Sequence, residues 1–170
     1  MTQLETTCLL LRQFTQSDFD SYAEMCADKE VMRYIGEGRA LSRAEAWRNM
    51  AGILGHWQLR GYGLWAIEEK ESGLLVGRAG FFNPEDWPGF ELGWLLGRPF
   101  WGKGFATEAA RAALQFAFTQ LDQPRVISLI RPGNLRSIRV AERLGEKYET
   151  TVYLSGAEAF LFSVTAPRHK

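Results

Sequence analysis

Residues that announce a metal site or a disulfide framework are scarce: the chain has two cysteines and two histidines in 170 positions. His56 and His169 stand isolated, with no third ligand type at zinc spacing, so no metal is expected. Cys8 falls in a strand pattern and Cys26 in a helix pattern, and both read as small buried hydrophobes. Net charge is missing too. Lys plus Arg equals Asp plus Glu at 20 each, which removes the electrostatic footprint of a general nucleic-acid binder. No apolar run approaches the length of a spanning helix, and Met1-Thr2-Gln3-Leu4-Glu5 lacks the basic start and apolar block of a signal peptide. A cytoplasmic protein with no membrane and no nucleic-acid partner is expected. Linkers, repeats and low-complexity segments are not seen either.

Apolar material is plentiful. A chain that is 46% hydrophobic and 13% aromatic has enough for a sizeable core, so residues 1–170 are expected to form one domain. Thr7 to Arg12 reads as a strand, and Ser17 to Cys26 as a helix with Thr15 and Asp18 at capping-box spacing. A second box, Ser42-x-x-Glu45, opens a helix whose apolar face includes Trp47, Met50 and Trp57. Three strand-like runs follow, Gly63 to Glu69, Leu74 to Phe82 and Phe90 to Leu96, the first two joined by the turn Lys70-Glu71-Ser72-Gly73. Lys147 to Tyr153 and Ala159 to Val164 suggest a closing antiparallel pair. The order predicts an α+β arrangement with a mixed sheet.

Between the third of those runs and a helical pattern (Ala109, Ala110, Ala113, Leu114, Ala117) lies Trp101-Gly102-Lys103-Gly104-Phe105-Ala106-Thr107. Strand, glycine turn and helix start follow one another. The first N–H groups of a helix have no intrahelical partner and carry the positive end of its dipole, so an anion can take them up. Glycine at 102 and 104 and alanine at 106 keep side chains out of a pyrophosphate's way. Gly97 to Lys103 fit the first seven positions of a nucleotide triphosphate loop, but Gly104 has no hydroxyl for magnesium, and Pro99, Phe100 and Trp101 are bulky where phosphates need free donors. A dinucleotide fingerprint fails at Thr107.

The same segment resembles the phosphate loop of the GNAT acetyltransferases, in particular the RimJ/RimL branch, where an aromatic residue before Gly-Lys-Gly and a following Thr-Glu-Ala are familiar. Trp101 stands where the usual pattern has Gln or Arg. The family's second signature, a strand and an Asn-led helix, matches Arg125 to Ile130, Asn134 and Leu144-Gly145, and the likeness extends to the opening strand and helix. The resemblance implies a mixed, mostly antiparallel sheet with strands 4 and 5 splayed apart, acetyl-CoA as cosubstrate and an amine as acceptor.

Acetyl transfer needs a proton acceptor, an oxyanion site and help for the departing thiolate. The resemblance places the pantetheine arm between Glu91 to Leu96 and Val126 to Ile130. It implies unpaired N–H groups near Trp94 and Leu95 as oxyanion donors, and Trp94 to Leu96, the 101–107 loop and Asn134 as acetyl-CoA contacts. Glu91 breaks an apolar run and is the candidate base, with a solvated strand end as the alternative. Many relatives carry a tyrosine seven residues after the Asn, where this chain has Ala141. The RimJ/RimL resemblance implies a serine near the sulfur three residues after the Asn, which makes Ser137 the candidate acid, its alternative being a local backbone bond. Glu146, in place of the common Phe, suggests a more polar surface around the last strands. The acceptor pocket is expected from Tyr34 to Ala40, Trp47, the loop Asn83 to Pro88 and the final strands, whose aromatics and acids suit a cationic amine or a peptide N-terminus. An acyl-CoA-binding module with weak chemistry is the alternative from another class, and edge strands with exposed aromatics are compatible with a homodimer.

Overall fold

The computed structural model describes residues 2–154 and 156–167. His169 lies outside them. Eight strands form one sheet in the order β1-β2-β3-β4-β5-β6-β8-β7: β1 (Leu4–Glu5), β2 (Leu9–Arg12), β3 (Leu64–Glu69), β4 (Leu75–Phe82), β5 (Glu91–Leu96), β6 (Arg125–Ile130), β7 (Lys147–Leu154) and β8 (Ala157–Thr165). The helices are α1 (Phe19–Ala27), α2 (Lys29–Met32), α3 (Arg43–Arg60), α4 (Phe105–Gln120) and α5 (Leu135–Leu144). Every strand pair is antiparallel except β5 with β6.

Both predicted capping signals form. The Asp18 carboxylate accepts the Thr15 N–H at 2.7 Å and clamps the Arg12 guanidinium through two 2.8 Å bonds, which fixes the entry to α1. Burial of Asp18 pushes its pKa up, but Arg12 and the Thr15 donors outweigh that and hold it below the usual value. Ser42 and Glu45 exchange the reciprocal bonds that start α3. Leu64 to Ile67 are buried at four consecutive positions. Since successive side chains point to opposite faces, the centre of the sheet is covered on both sides. α4 packs on β2, β4 and β5, α5 on β6, and α1 on α3 and β4.

The splay is present and numbered one higher than expected, because the two-residue β1 adds a strand at the edge. β5 and β6 share one register pair, Glu91 with Ile127, next to the 3.0 Å bond from Ile127 N–H to Phe90 O. Beyond it they part. Cys8 is exposed and only Cys26 is buried, because the chain turns outward between β1 and β2.

Candidate active site

The loop between β5 and α4 delivers what its glycines promised. Gly102 and Gly104 have φ of +81° and +85°, a conformation that disfavours a side chain, and a Cβ at either would meet open space. The first intrahelical bond of α4 runs from Glu108 N–H to Gly104 O at 3.0 Å, and no side chain caps the helix. The N–H groups of Phe105, Ala106 and Thr107 therefore have no partner within the helix. Glu108 anchors this end by accepting from the Thr6 hydroxyl at 2.6 Å and the Cys8 N–H at 2.7 Å. The Trp101 indole donates to Leu96 O at 2.9 Å and lies 4.3 Å under the Arg136 guanidinium, so that tryptophan braces the loop. Lys103 departs from expectation. Its ammonium turns away, 3.4 Å from a Glu69 oxygen, and does not line the cavity.

That cavity, of about 590 Å³, runs from the α4 start to Trp94, Leu95 and Leu96 and to the first turn of α5. A second, of about 1040 Å³, is walled by α3, β4, Glu91 and the 83–88 loop. Both are lined by Trp94, Asn134 and Ser137. At this junction Asn134 Oδ1 caps α5 by accepting Ser137 N–H at 3.3 Å. The Ser137 hydroxyl accepts from the Trp94 indole at 3.2 Å, which leaves its own proton free to donate into the gap. Ala141 is fully buried against Ile130 and Phe162, so no side chain from that place reaches the gap.

Register decides which N–H groups face the gap. Gly97 N–H bonds Val76 O at 2.9 Å, and antiparallel pairs alternate, so Leu95, opposite Arg78, turns its N–H into the β4 ladder. Trp94 and Leu96 point theirs toward β6, where pairing has ended. Of the two expected donors, Trp94 faces the opening and Leu95 does not; Leu96 takes its place.

Glu91 is half-buried and faces the second cavity. Its Oε2 accepts from the Trp87 indole at 2.7 Å, a loop contact with no periodic signal in the sequence. Burial pushes its pKa up to about 7, opposed by Trp87, the Leu129 main chain and the field of Arg78. His56 is committed elsewhere. Its Nε2 accepts Asn83 N–H at 3.1 Å, so Nδ1 carries the proton that binds Tyr62 O at 2.8 Å.

Two expectations about the surroundings are overturned. Trp47 is 52% exposed and lines neither cavity. Glu146 lies beneath the strands and not at a polar surface, being 4% exposed, with Oε1 3.0 Å from Ser128 Oγ and Oε2 without a partner among the described residues. Ser128 Oγ is also 2.8 Å from Leu92 O. A hydroxyl has one proton, so both contacts are hydrogen bonds only when Glu146 carries a proton of its own. Burial pushes that carboxyl up to about 7 as well.

The family model described as "Acetyltransferase (GNAT) domain" matches residues 9–147. The chain is 33% identical over 159 residues to YkkB of Bacillus subtilis (strain 168), covering 89% of this chain and 88% of that one. It superposes on an acetyltransferase from Agrobacterium tumefaciens str. C58 with a TM-score of 0.86, at 30% identity, over 96% of this chain and 94% of that one. Likeness of fold extends to RimL, the ribosomal L7/L12 alpha-N-protein acetyltransferase solved with coenzyme A, with a TM-score of 0.81 at 20% identity over 97% and 98% of the two chains. A phosphate-ready helix start, a strand pair that parts beside it and a family match over most of the chain agree: this protein belongs to the GNAT acetyltransferases, enzymes of acyl transfer from acetyl-CoA.

Proposed function

We propose that the chain moves an acetyl group from acetyl-CoA to a primary amine by direct attack on the thioester, with Glu91 as base and Ser137 as partner of the leaving sulfur. One observation carries this reading: the two cavities meet at Trp94, Asn134 and Ser137, where β5 and β6 have parted. The N–H groups of Phe105, Ala106 and Thr107, together with Gly102 and Gly104, receive the pyrophosphate, and Asn134 borders the pantetheine arm. The Trp94 and Leu96 N–H groups stabilise the oxygen that becomes negative as the amine nitrogen bonds to the carbonyl carbon. Glu91 takes the proton that the nitrogen loses. As the carbon–sulfur bond breaks, the Ser137 hydroxyl donates a hydrogen bond to the sulfur, whose low basicity lets it depart without full proton transfer in the same step.

Ligand-induced stabilisation and turnover test the reading together. Acetyl-CoA is expected to raise the melting temperature, while ATP with magnesium is not, since only a ligand of the native state shifts the equilibrium. Thiol release that depends on an added amine completes the case. Stabilisation without turnover over a broad amine panel would instead favour the acyl-CoA-binding module.

A further inference from the structure

The acceptor cavity is basic where acids were expected. Of the acids in the segments thought to line it, Glu85 is paired with Arg60 and Glu37 with Arg39. Arg48 from α3, Arg78 from β4 and Arg131 beyond β6 also line the cavity, and none forms an ion pair with a carboxylate among the described residues. Arg131 donates to Gly36 O at 2.6 Å and so helps hold the 33–40 loop against the site. Arg78 has no such outlet among the described residues. Its Nε is sealed from solvent and has no hydrogen-bond partner among the described residues. A guanidinium cannot shed its proton, and a donor sealed from water without a partner is costly. Glu91 lies within its field but forms no ion pair with it.

Geometry places that cation on the acceptor side. Glu91 sits opposite Phe82 on β4, and strand alternation puts Arg78 on the same face as Phe82. Phe82 stacks on His56 of α3, and Arg78 runs beneath α1, close enough to Tyr22 and Cys26 for its charge to act on them. Both Arg78 and Glu91 therefore look into the space between the sheet and α3. Its volume of about 1040 Å³ is of the size that holds a small molecule. We propose that the acceptor is a small primary amine bearing its own anionic group, a carboxylate or a phosphonate, which seats on Arg78 with Arg48 and Arg131 nearby while the amine points to Glu91. This rests on the acetyltransferase reading of the site and adds the charge of the substrate to it. A polyamine would bring positive charge to three unpaired guanidiniums.

Matched acceptors test it: free amino acids, their carboxamides and the corresponding aminophosphonates, each assayed by thiol release with acetyl-CoA. The anionic amines are expected to be preferred over the amides by at least about 10-fold in kcat/KM, because a charged hydrogen-bonded pair is stronger than a neutral one. The split between carboxylate and phosphonate identifies which anion is read. Arg78→Gln is expected to erase the preference, raising KM for the anionic amine by about 10-fold or more and leaving KM for acetyl-CoA unchanged. Arg48→Gln, on an exposed helix position, provides a second variant and is expected to weaken the preference in the same sense. Equal or better use of the amides, activity confined to peptide termini or polyamines, or a preference that survives both substitutions would overturn the inference while leaving the enzyme an acetyltransferase. Failure of acetyl-CoA to bind would overturn the underlying reading itself.

Discussion

Glu91 and Glu146 are two carboxyls that burial raises to about the same pKa, near 7, yet only Glu91 faces a cavity. For Glu91 the raised value suits a base at neutral pH, and the rate is expected to climb as pH rises through about 7 and then level off, since only the ionised form accepts a proton. Glu91→Gln keeps the shape and the Trp87 contact but removes that acceptor, so kcat is expected to fall by about 10²-fold to 10⁴-fold with the melting shift from acetyl-CoA intact. Unchanged turnover would return Glu91 to a strand-end carboxylate. Glu146, which lines neither cavity, makes itself felt through stability alone. With its pKa raised from 4.5 to about 7, the folded chain binds more protons than the unfolded one between those values, and stability is lost as pH rises through that window. Glu146→Gln stays neutral throughout, so its melting temperature relative to wild type is expected to improve from pH 5 to pH 8. A difference that does not move with pH would show that Glu146 does not titrate there.

At the level of elements, α5 divides capping and the proposed chemistry between two residues. Asn134 caps the helix, and Ser137 turns its hydroxyl to Trp94 and the gap. Ser137→Ala is accordingly expected to lower kcat by about 10-fold or more, with little change in melting temperature or in KM for acetyl-CoA. Asn134→Ala is expected to cost about 1 kcal/mol of stability. A melting loss with normal turnover in the serine variant would remove it from the chemistry. The capping signals at Thr15 and Ser42 were legible because they are set by neighbours three residues apart. β1 and α2 escaped notice because elements of two and four residues carry no measurable period. The phase of β5 escaped for another reason: which N–H looks into the gap is fixed by pairing with β4, and nothing within Phe90 to Leu96 encodes it.

At the scale of the whole molecule, the strand and helix order, the mixed sheet and the phosphate loop were readable because each leaves a local pattern of apolar spacing and glycine. What stayed hidden was long-range and polar. Burial of Glu146 against Ser128 and the bond from Ser128 to Leu92 O depend on segments 18 and 36 residues apart meeting across the sheet. The meeting of the two cavities has a kinetic consequence. In the proposed reaction donor and acceptor each have a compartment of their own and share a wall that includes Trp94, Asn134 and Ser137, so both can be aboard at once and no acetylated side chain is needed as a ferry. Neither cysteine stands at that wall. Initial rates over a grid of acetyl-CoA and amine concentrations are therefore expected to give reciprocal plots that intersect; parallel lines would mean that the acetyl group waits on the protein between two separate visits.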